Sequence, residues 1–111
     1  MIPATTVDTM FRALGDPTRR RVVERLSAGP ASMSELLRPF DISLPTLSKH
    51  LGILEHSGLV RSTKVGRVRT YRLVPSRLAS AEHWLSRQRR LWEQRLDQLD
   101  EHLKTMKEEG P

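Results

Sequence analysis

Apolar residues recur along this chain with two different periods, and the change of period divides it. Val7, Met10, Phe11 and Leu14 fall at i, i+3, i+4 and i+7, the spacing of a short amphipathic helix, which Gly15 ends. Asp16-Pro17 opens the next helix. Asp16 is its N-cap and Pro17 takes the first helical position, where a missing N–H costs nothing. Val22, Val23 and Leu26 give its buried side, and Gly29-Pro30 breaks the chain. Ser32-Met33-Ser34-Glu35 spells a capping box ahead of Leu36 and Leu37, a short helix that Pro39 should stop. Phe40 and Ile42 cover a tight connection. Ser43 then caps a helix of residues 44–57, and Gly58 is its natural terminator.

From Leu59 the period becomes two. LVRSTKV and VRTYRLV flank Gly66-Arg67, and their enrichment in Val, Thr and Tyr around a central Gly predicts a β-hairpin over residues 59–74. Lys64, Arg67 and Arg69 lie at its tip, and Pro75 closes it. Residues 78–108 contain no Gly or Pro and read as one helix of roughly 45 Å at 1.5 Å per residue. Leu78, Leu85, Trp92, Leu99 and Met106 stand seven apart along it, widened by Trp84, Leu91, Leu96 and Leu103. A body of about 75 residues offers too little surface to cover such a stripe. The pattern therefore calls for a partner helix, most simply that of a second copy.

The order helix, helix, helix-turn-helix, hairpin, long helix predicts a mainly α fold with a β-hairpin wing. This is a winged helix-turn-helix of order α-α-α-α-β-β-α, forming a single domain over residues 1–111. Its body and wing would occupy residues 5–77, and its long last helix, residues 78–108, would pair with a second copy.

The helix after Ser43 has an unusual outer face. With a step of about 100° per residue, Leu47, Leu51 and Leu54 cluster on one side, while Pro45, Thr46 and Lys49 lie nearly opposite. An ordinary surface helix carries Glu, Lys and Gln there. Small hydroxyls, a proline and one cation suit close approach to a partner instead.

Charge says what kind of partner. The chain carries 19 Lys+Arg against 13 Asp+Glu, a net +6. Residues 1–77 hold 13 of the basic and 6 of the acidic side chains, a net +7, and the remainder is −1. A segregated basic surface is the footprint of a polyanion binder. There are no cysteines, which excludes disulfides, thiolate metal sites and thiol redox sensing. MIPATTVDTMF has no basic n-region or long apolar run, and no segment approaches the ~18 apolar residues of a membrane span, so a soluble cytoplasmic protein is expected. No nucleophile and base stand at motif spacing, and there is no Gly-rich phosphate loop, so an enzyme is not expected. RNA binding has only Tyr71 as a stacking aromatic on the strands.

FRALGDPTRRRVVERL, SELL, SLPTLSKHLGILEHSGLV, GRVRTYRL and WLSRQRRLWEQRLDQL together resemble the ArsR/SmtB-type bacterial transcriptional repressors, over about residues 7–105. The resemblance implies a homodimer built on the first and last helices, with Val7, Met10, Phe11, Leu14, Trp84, Leu85, Trp92, Leu96, Leu99 and Leu103 as the expected dimer residues, that binds an imperfect inverted repeat in operator DNA. Helix 44–57 would enter the major groove N-terminus first. Pro45, Thr46 and Lys49 are then the candidates for base edges, and Ser43 and Ser48 for phosphate. Lys64, Arg67 and Arg69 would touch backbone or minor groove. His50 joins the candidate contacts, although its place on a flank favours a structural hydrogen bond.

Metal-sensing relatives carry ligands that this sequence lacks. The cysteine pair would fall at Leu37 and Pro39, and the site on the last helix at Pro75, Arg77, Gln88 and Leu91. Neither set can ligate, so no metal and no cofactor are expected. Two alternatives to a specific repressor remain. One is a non-specific architectural DNA-binding protein. The other is a metal-responsive repressor with an atypical site, built from Glu82-His83 or Asp100-x-His102 across a dimer. Control by abundance and control by an unidentified small-molecule effector held between the long helices are both open.

Overall fold

The computed structural model describes residues 4–109, and its contacts divide the chain into two units, residues 1–80 and 81–111. The first unit contains α1 (Ala4–Leu14), α2 (Pro17–Ser27), β1 (Ala31–Ser32), α3 (Met33–Leu37), α4 (Leu44–His56), β2 (Val60–Val65) and β3 (Val68–Leu73). The remaining helix, α5 (Pro75–Glu108), starts in the first unit and supplies the helical residues of the second. The mainly helical winged helix-turn-helix expected from the sequence is present.

Its helices begin where the capping residues place them. The Asp16 carboxylate accepts the Arg19 N–H at 3.1 Å, with Pro17 opening α2. At α3 the box closes both ways: Ser32 Oγ accepts from Glu35 N and Glu35 Oε1 accepts from Ser32 N, each at 3.2 Å. Ser43 Oγ accepts the Thr46 N–H at 3.3 Å and starts α4.

The core is continuous from α1 to the sheet. Met10, Val22, Leu36, Leu47, Leu51, Leu54, Leu59 and Val60 are fully buried. Burying each such side chain contributes about 1.5–3 kcal/mol, so the Leu47, Leu51 and Leu54 face fixes which side of α4 stays outside. Hairpin register runs from Val60 opposite Leu73 to Val65 opposite Val68, leaving Gly66-Arg67 as a two-residue turn. Gly66 has φ +62° and no non-glycine residue has positive φ among those described, the pattern of a II′ turn. Tyr71 is buried in β3, and that burial raises its phenol pKa above 10.0, with the Glu55 charge adding to the rise and Arg69 opposing it.

Several details differ from expectation. A third strand exists: β1 pairs antiparallel with β3, Ala31 opposite Tyr71 and Ser32 opposite Thr70. The order is therefore α-α-β-α-α-β-β-α, because the chain between Pro30 and the α3 cap lies along the sheet edge before turning. Pro75 begins α5 instead of only closing the hairpin, since its fixed φ and missing N–H suit a first helical residue. Val7 and Met10, expected at a dimer seam, are buried inside their own unit, at 6% and 0% exposure. They are core residues, and of the four named on α1 only Phe11 and Leu14 keep partial exposure.

In the second unit, Trp84, Leu85, Leu91, Trp92, Leu96, Leu99, Leu103 and Met106 are all exposed. Flanking charges pair along the helix, Arg89 with Glu93 and Lys104 with Asp100, each four residues apart. Such pairs help an isolated helix by a few tenths of a kcal/mol and leave the apolar stripe uncovered.

Candidate nucleic-acid interface

The cap and first two turns of α4 present Ser43, Pro45, Thr46, Ser48 and Lys49 to solvent. A concavity of about 630 Å³ lies beside three of them, lined by Arg19, Pro45, Thr46, Lys49, His50 and Ile53. No acidic side chain lines it. Ser43 is bound into the cap, with its hydroxyl also 2.8 Å from Thr46 Oγ1. The two hydroxyls thus share one hydrogen and leave lone pairs outward. Ser48 is likewise exposed on α4.

His50 is half-buried, and its neighbours explain why. Arg19 Nη1 lies 3.2 Å from His50 Nδ1, while Arg19 Nε donates to the Ala13 carbonyl at 2.7 Å and Nη2 to the Arg12 carbonyl at 3.2 Å. One guanidinium therefore ties the C-terminal carbonyls of α1 to the middle of α4. Because Arg can only donate, the 3.2 Å contact requires a bare Nδ1. The Asp16 carboxylate, 3.9 Å from the same nitrogen, makes no hydrogen bond to it. Hydrogen bonding from the Arg19 backbone N–H is the main reason that the Asp16 pKa lies below 3.8, opposed by desolvation and helped by the Arg19 charge.

The other two arginines of the run also meet protein. Arg20 Nη1 donates to the Leu14 carbonyl at 2.9 Å, and the Arg21 guanidinium lies over the Phe40 ring, 4.5 Å from its centroid. Arg19, Arg20 and Arg21 thus all contribute to holding α2 against its neighbours.

On the wing, Lys64 and Arg67 are exposed, but Arg69 is tethered. Its Nη1 donates to Ser62 Oγ at 2.8 Å, and that hydroxyl donates to Glu55 Oε2 at 3.1 Å. The chain Arg69–Ser62–Glu55 links β3 through β2 to the C-terminal half of α4. One further feature was missed from the sequence: Arg61 stands directly opposite Arg72, both exposed. Like charges placed so are mutually unfavourable, and an anion would relieve them. The period-two alternation of VRSTKV and VRTYRL contained that pairing.

A four-helix body with a polar-faced second helix of a helix-turn-helix and a basic hairpin beside it defines a winged helix-turn-helix DNA-binding domain. Residues 14–63 match the family described as a helix-turn-helix domain. Over 80 residues the chain is 41% identical to HTH-type transcriptional regulator Rv2034 of Mycobacterium tuberculosis, covering 72% of this chain and 75% of that one. Transcriptional repressor SdpR of Bacillus subtilis is 29% identical over 79 residues, 71% of this chain and 88% of its own. A solved ArsR family transcriptional regulator matches with a TM-score of 0.79 at 47% identity, covering 83% of this chain and 95% of that one. An ArsR-like transcriptional regulator from Rhodococcus sp. RHA1 gives 0.77 at 32% identity, with 87% and 92% covered.

The chain belongs to the ArsR family of transcriptional regulators. It is a sequence-specific DNA-binding regulator and not an enzyme. None of its helices, among the described residues, is long and apolar enough to cross a membrane.

Proposed function

We propose that this regulator is a cytoplasmic homodimeric repressor that reads an inverted-repeat operator, with α4 in the major groove and the hairpin on the flanking backbone. The observation that carries this reading is the outer face of α4. Pro45, Thr46, Ser48 and Lys49 are exposed; the first three are small enough for close backbone approach, and Pro45, Thr46 and Lys49 border a concavity with no carboxylate. Pro45, Thr46 and Lys49 contact base edges, where a Lys on guanine is worth about 1–3 kcal/mol of discrimination. Ser43 and Ser48 serve phosphates, as do Lys64 and Arg67. His50 and Arg69 act chiefly by holding α4 and the wing in place.

The second copy follows from α5. Trp92 is 64% exposed and the stripe from Leu85 to Met106 is open, a length of apolar surface that supports pairing with the same face of another chain. Phe11 and Leu14 are the α1 residues with surface to add. Two chains would then present two α4 helices to half-sites about one helical turn of DNA apart.

Selection of bound duplexes from a random pool tests the reading. Recovered sequences with twofold symmetry and half-sites about 10 base pairs apart, bound ~10³-fold or more over scrambled duplex, are the expected result. Recovery of no common sequence would replace the repressor with an architectural protein.

A further inference from the structure

A second concavity, of about 440 Å³, lies between α1 and the C-terminal half of α4, and DNA contact by the first turn of α4 does not account for it. Its rim is cationic, with Arg12, Arg19 and Lys49 beside the His56 imidazole; Gly52 and Ile53 give it an apolar floor, and Thr9 with the buried Ala13 completes the lining. No carboxylate lines it, and among the described residues no acidic group forms an ion pair with Arg12 or Lys49.

Two features mark it as a built site. The Arg19 guanidinium is held by the Ala13 and Arg12 carbonyls and by His50. It still has N–H groups to give, since the group carries five. A donor already fixed in place loses little freedom when it meets a ligand. The second feature is Gly52. Glycine is among the least favourable residues inside a helix, yet Gly52 has no positive φ, and a Cβ added there would meet nothing within 4 Å. Neither packing nor backbone conformation asks for glycine. What its missing side chain does provide is depth in the concavity floor.

We propose that this concavity binds a small organic anion, a phosphate or carboxylate carried on a compact apolar body, and that its occupancy weakens operator binding. The anionic head would meet Arg12, Arg19 and Lys49, and the apolar body would lie against Gly52 and Ile53. Arg19 and Lys49 line both this concavity and the DNA-facing one. A ligand here draws Lys49 away from bases and sets negative charge beside a surface that must accept phosphates. The second half of the proposal rests on the DNA-binding reading above; anion binding itself does not.

Phenyl phosphate is the probe, used on the full-length chain. In DNA-free protein, nuclear magnetic resonance titration should give saturable shifts at the Gly52 amide and the Arg19 Nε. Arg12→Ala and Gly52→Leu should each weaken binding about tenfold, equivalent to ~1.4 kcal/mol, while keeping the native spectrum. Inorganic phosphate, lacking the apolar body, should bind more weakly. With a selected duplex at matched ionic strength, phenyl phosphate should raise the duplex Kd for the native chain and not for Gly52→Leu. Absence of saturable shifts at Gly52, or shifts indifferent to both substitutions, overturns the site. Loss of duplex affinity in ligand-free Arg12→Ala with no phenyl phosphate binding would make the concavity a backbone track and also overturn it. If the native chain binds no duplex specifically, the regulatory half falls with the DNA-binding reading, and the titration alone decides the anion site.

Discussion

The Nη1 of Arg19 lies 3.2 Å from the Nδ1 of His50, so the first arginine of Arg19-Arg20-Arg21 reaches across 31 positions to the middle of α4. Hydrogen bonds to a charged group contribute about 1.5–3 kcal/mol. His50→Ala should lower the unfolding free energy by about that amount and weaken duplex binding alike on specific and scrambled sequences, because the helix is loosened without any loss of base reading. Arg19→Lys should behave similarly, since an ammonium cannot span the Ala13 and Arg12 carbonyls and the imidazole at once. Denaturant melts beside anisotropy titrations check this; a changed base preference in His50→Ala would make it a reading residue.

Lys49 is the contrasting case, exposed on α4 with no ion pair among the described residues. Lys49→Ala should leave the melting temperature nearly unchanged and relax discrimination at one operator position by about 1–3 kcal/mol. Repeating the duplex selection with the variant shows which position relaxes.

The wing gives a prediction whose sign separates two roles for Glu55. If Glu55 were only a negative charge near DNA, Glu55→Ala would tighten binding. As the end of the Arg69–Ser62–Glu55 chain, its removal should weaken binding severalfold by freeing the hairpin. Arg67→Ala, at the untethered turn, should weaken all duplexes and reduce the salt slope by about 1. Titrations at several salt concentrations distinguish the two.

Acid should act on the α2 cap in a defined direction. The Asp16 pKa is lowered in the folded chain, chiefly by the Arg19 backbone N–H. Its ionised form therefore adds stability above the unfolded value of about 3.9. That contribution is lost as pH falls through the lower folded pKa. Asn also caps well, whereas Ala costs about 1 kcal/mol. Asp16→Asn should thus trail the native chain at neutral pH by less than Asp16→Ala does, and the gap between Asn and native should shrink below about pH 4. Thermal melts across pH 2.5–7 would show a pH-independent gap if the charge were irrelevant.

Local signals were readable wherever one short stretch decided the outcome. The Ser32–Glu35 box, the Asp16-Pro17 start and the Gly66-Arg67 turn all stand where the sequence places them, because caps and II′ turns depend on neighbours in the chain. Two-residue β1 has no period to detect, and its pairing with Tyr71 comes from a residue 40 positions away. Val7 and Met10 show another limit: a helical stripe reveals which side is apolar without saying whether its own core or a second copy covers it. The Arg19–His50 link and the tether on Arg69 escaped for the same reason, since a long cation's partners depend on tertiary geometry and not on spacing.

The stripe on α5 is where that ambiguity can be resolved by mass. Leu96 and Trp92 stand on an open apolar face whose neighbours on the helix are paired charges. Leu96→Glu adds one charge to a helix already tolerant of them, so the protomer's helix should persist by circular dichroism. In a paired arrangement the same substitution buries a carboxylate against leucine and tryptophan, which costs several kcal/mol. Sedimentation equilibrium should therefore show the native chain at twice the protomer mass and Leu96→Glu at the protomer mass. Loss of one α4 from each complex should then reduce operator affinity by a factor of at least 10², because both half-sites are no longer held together. A native chain that sediments as a single protomer would remove the second copy from the account and leave the α5 face to some other partner.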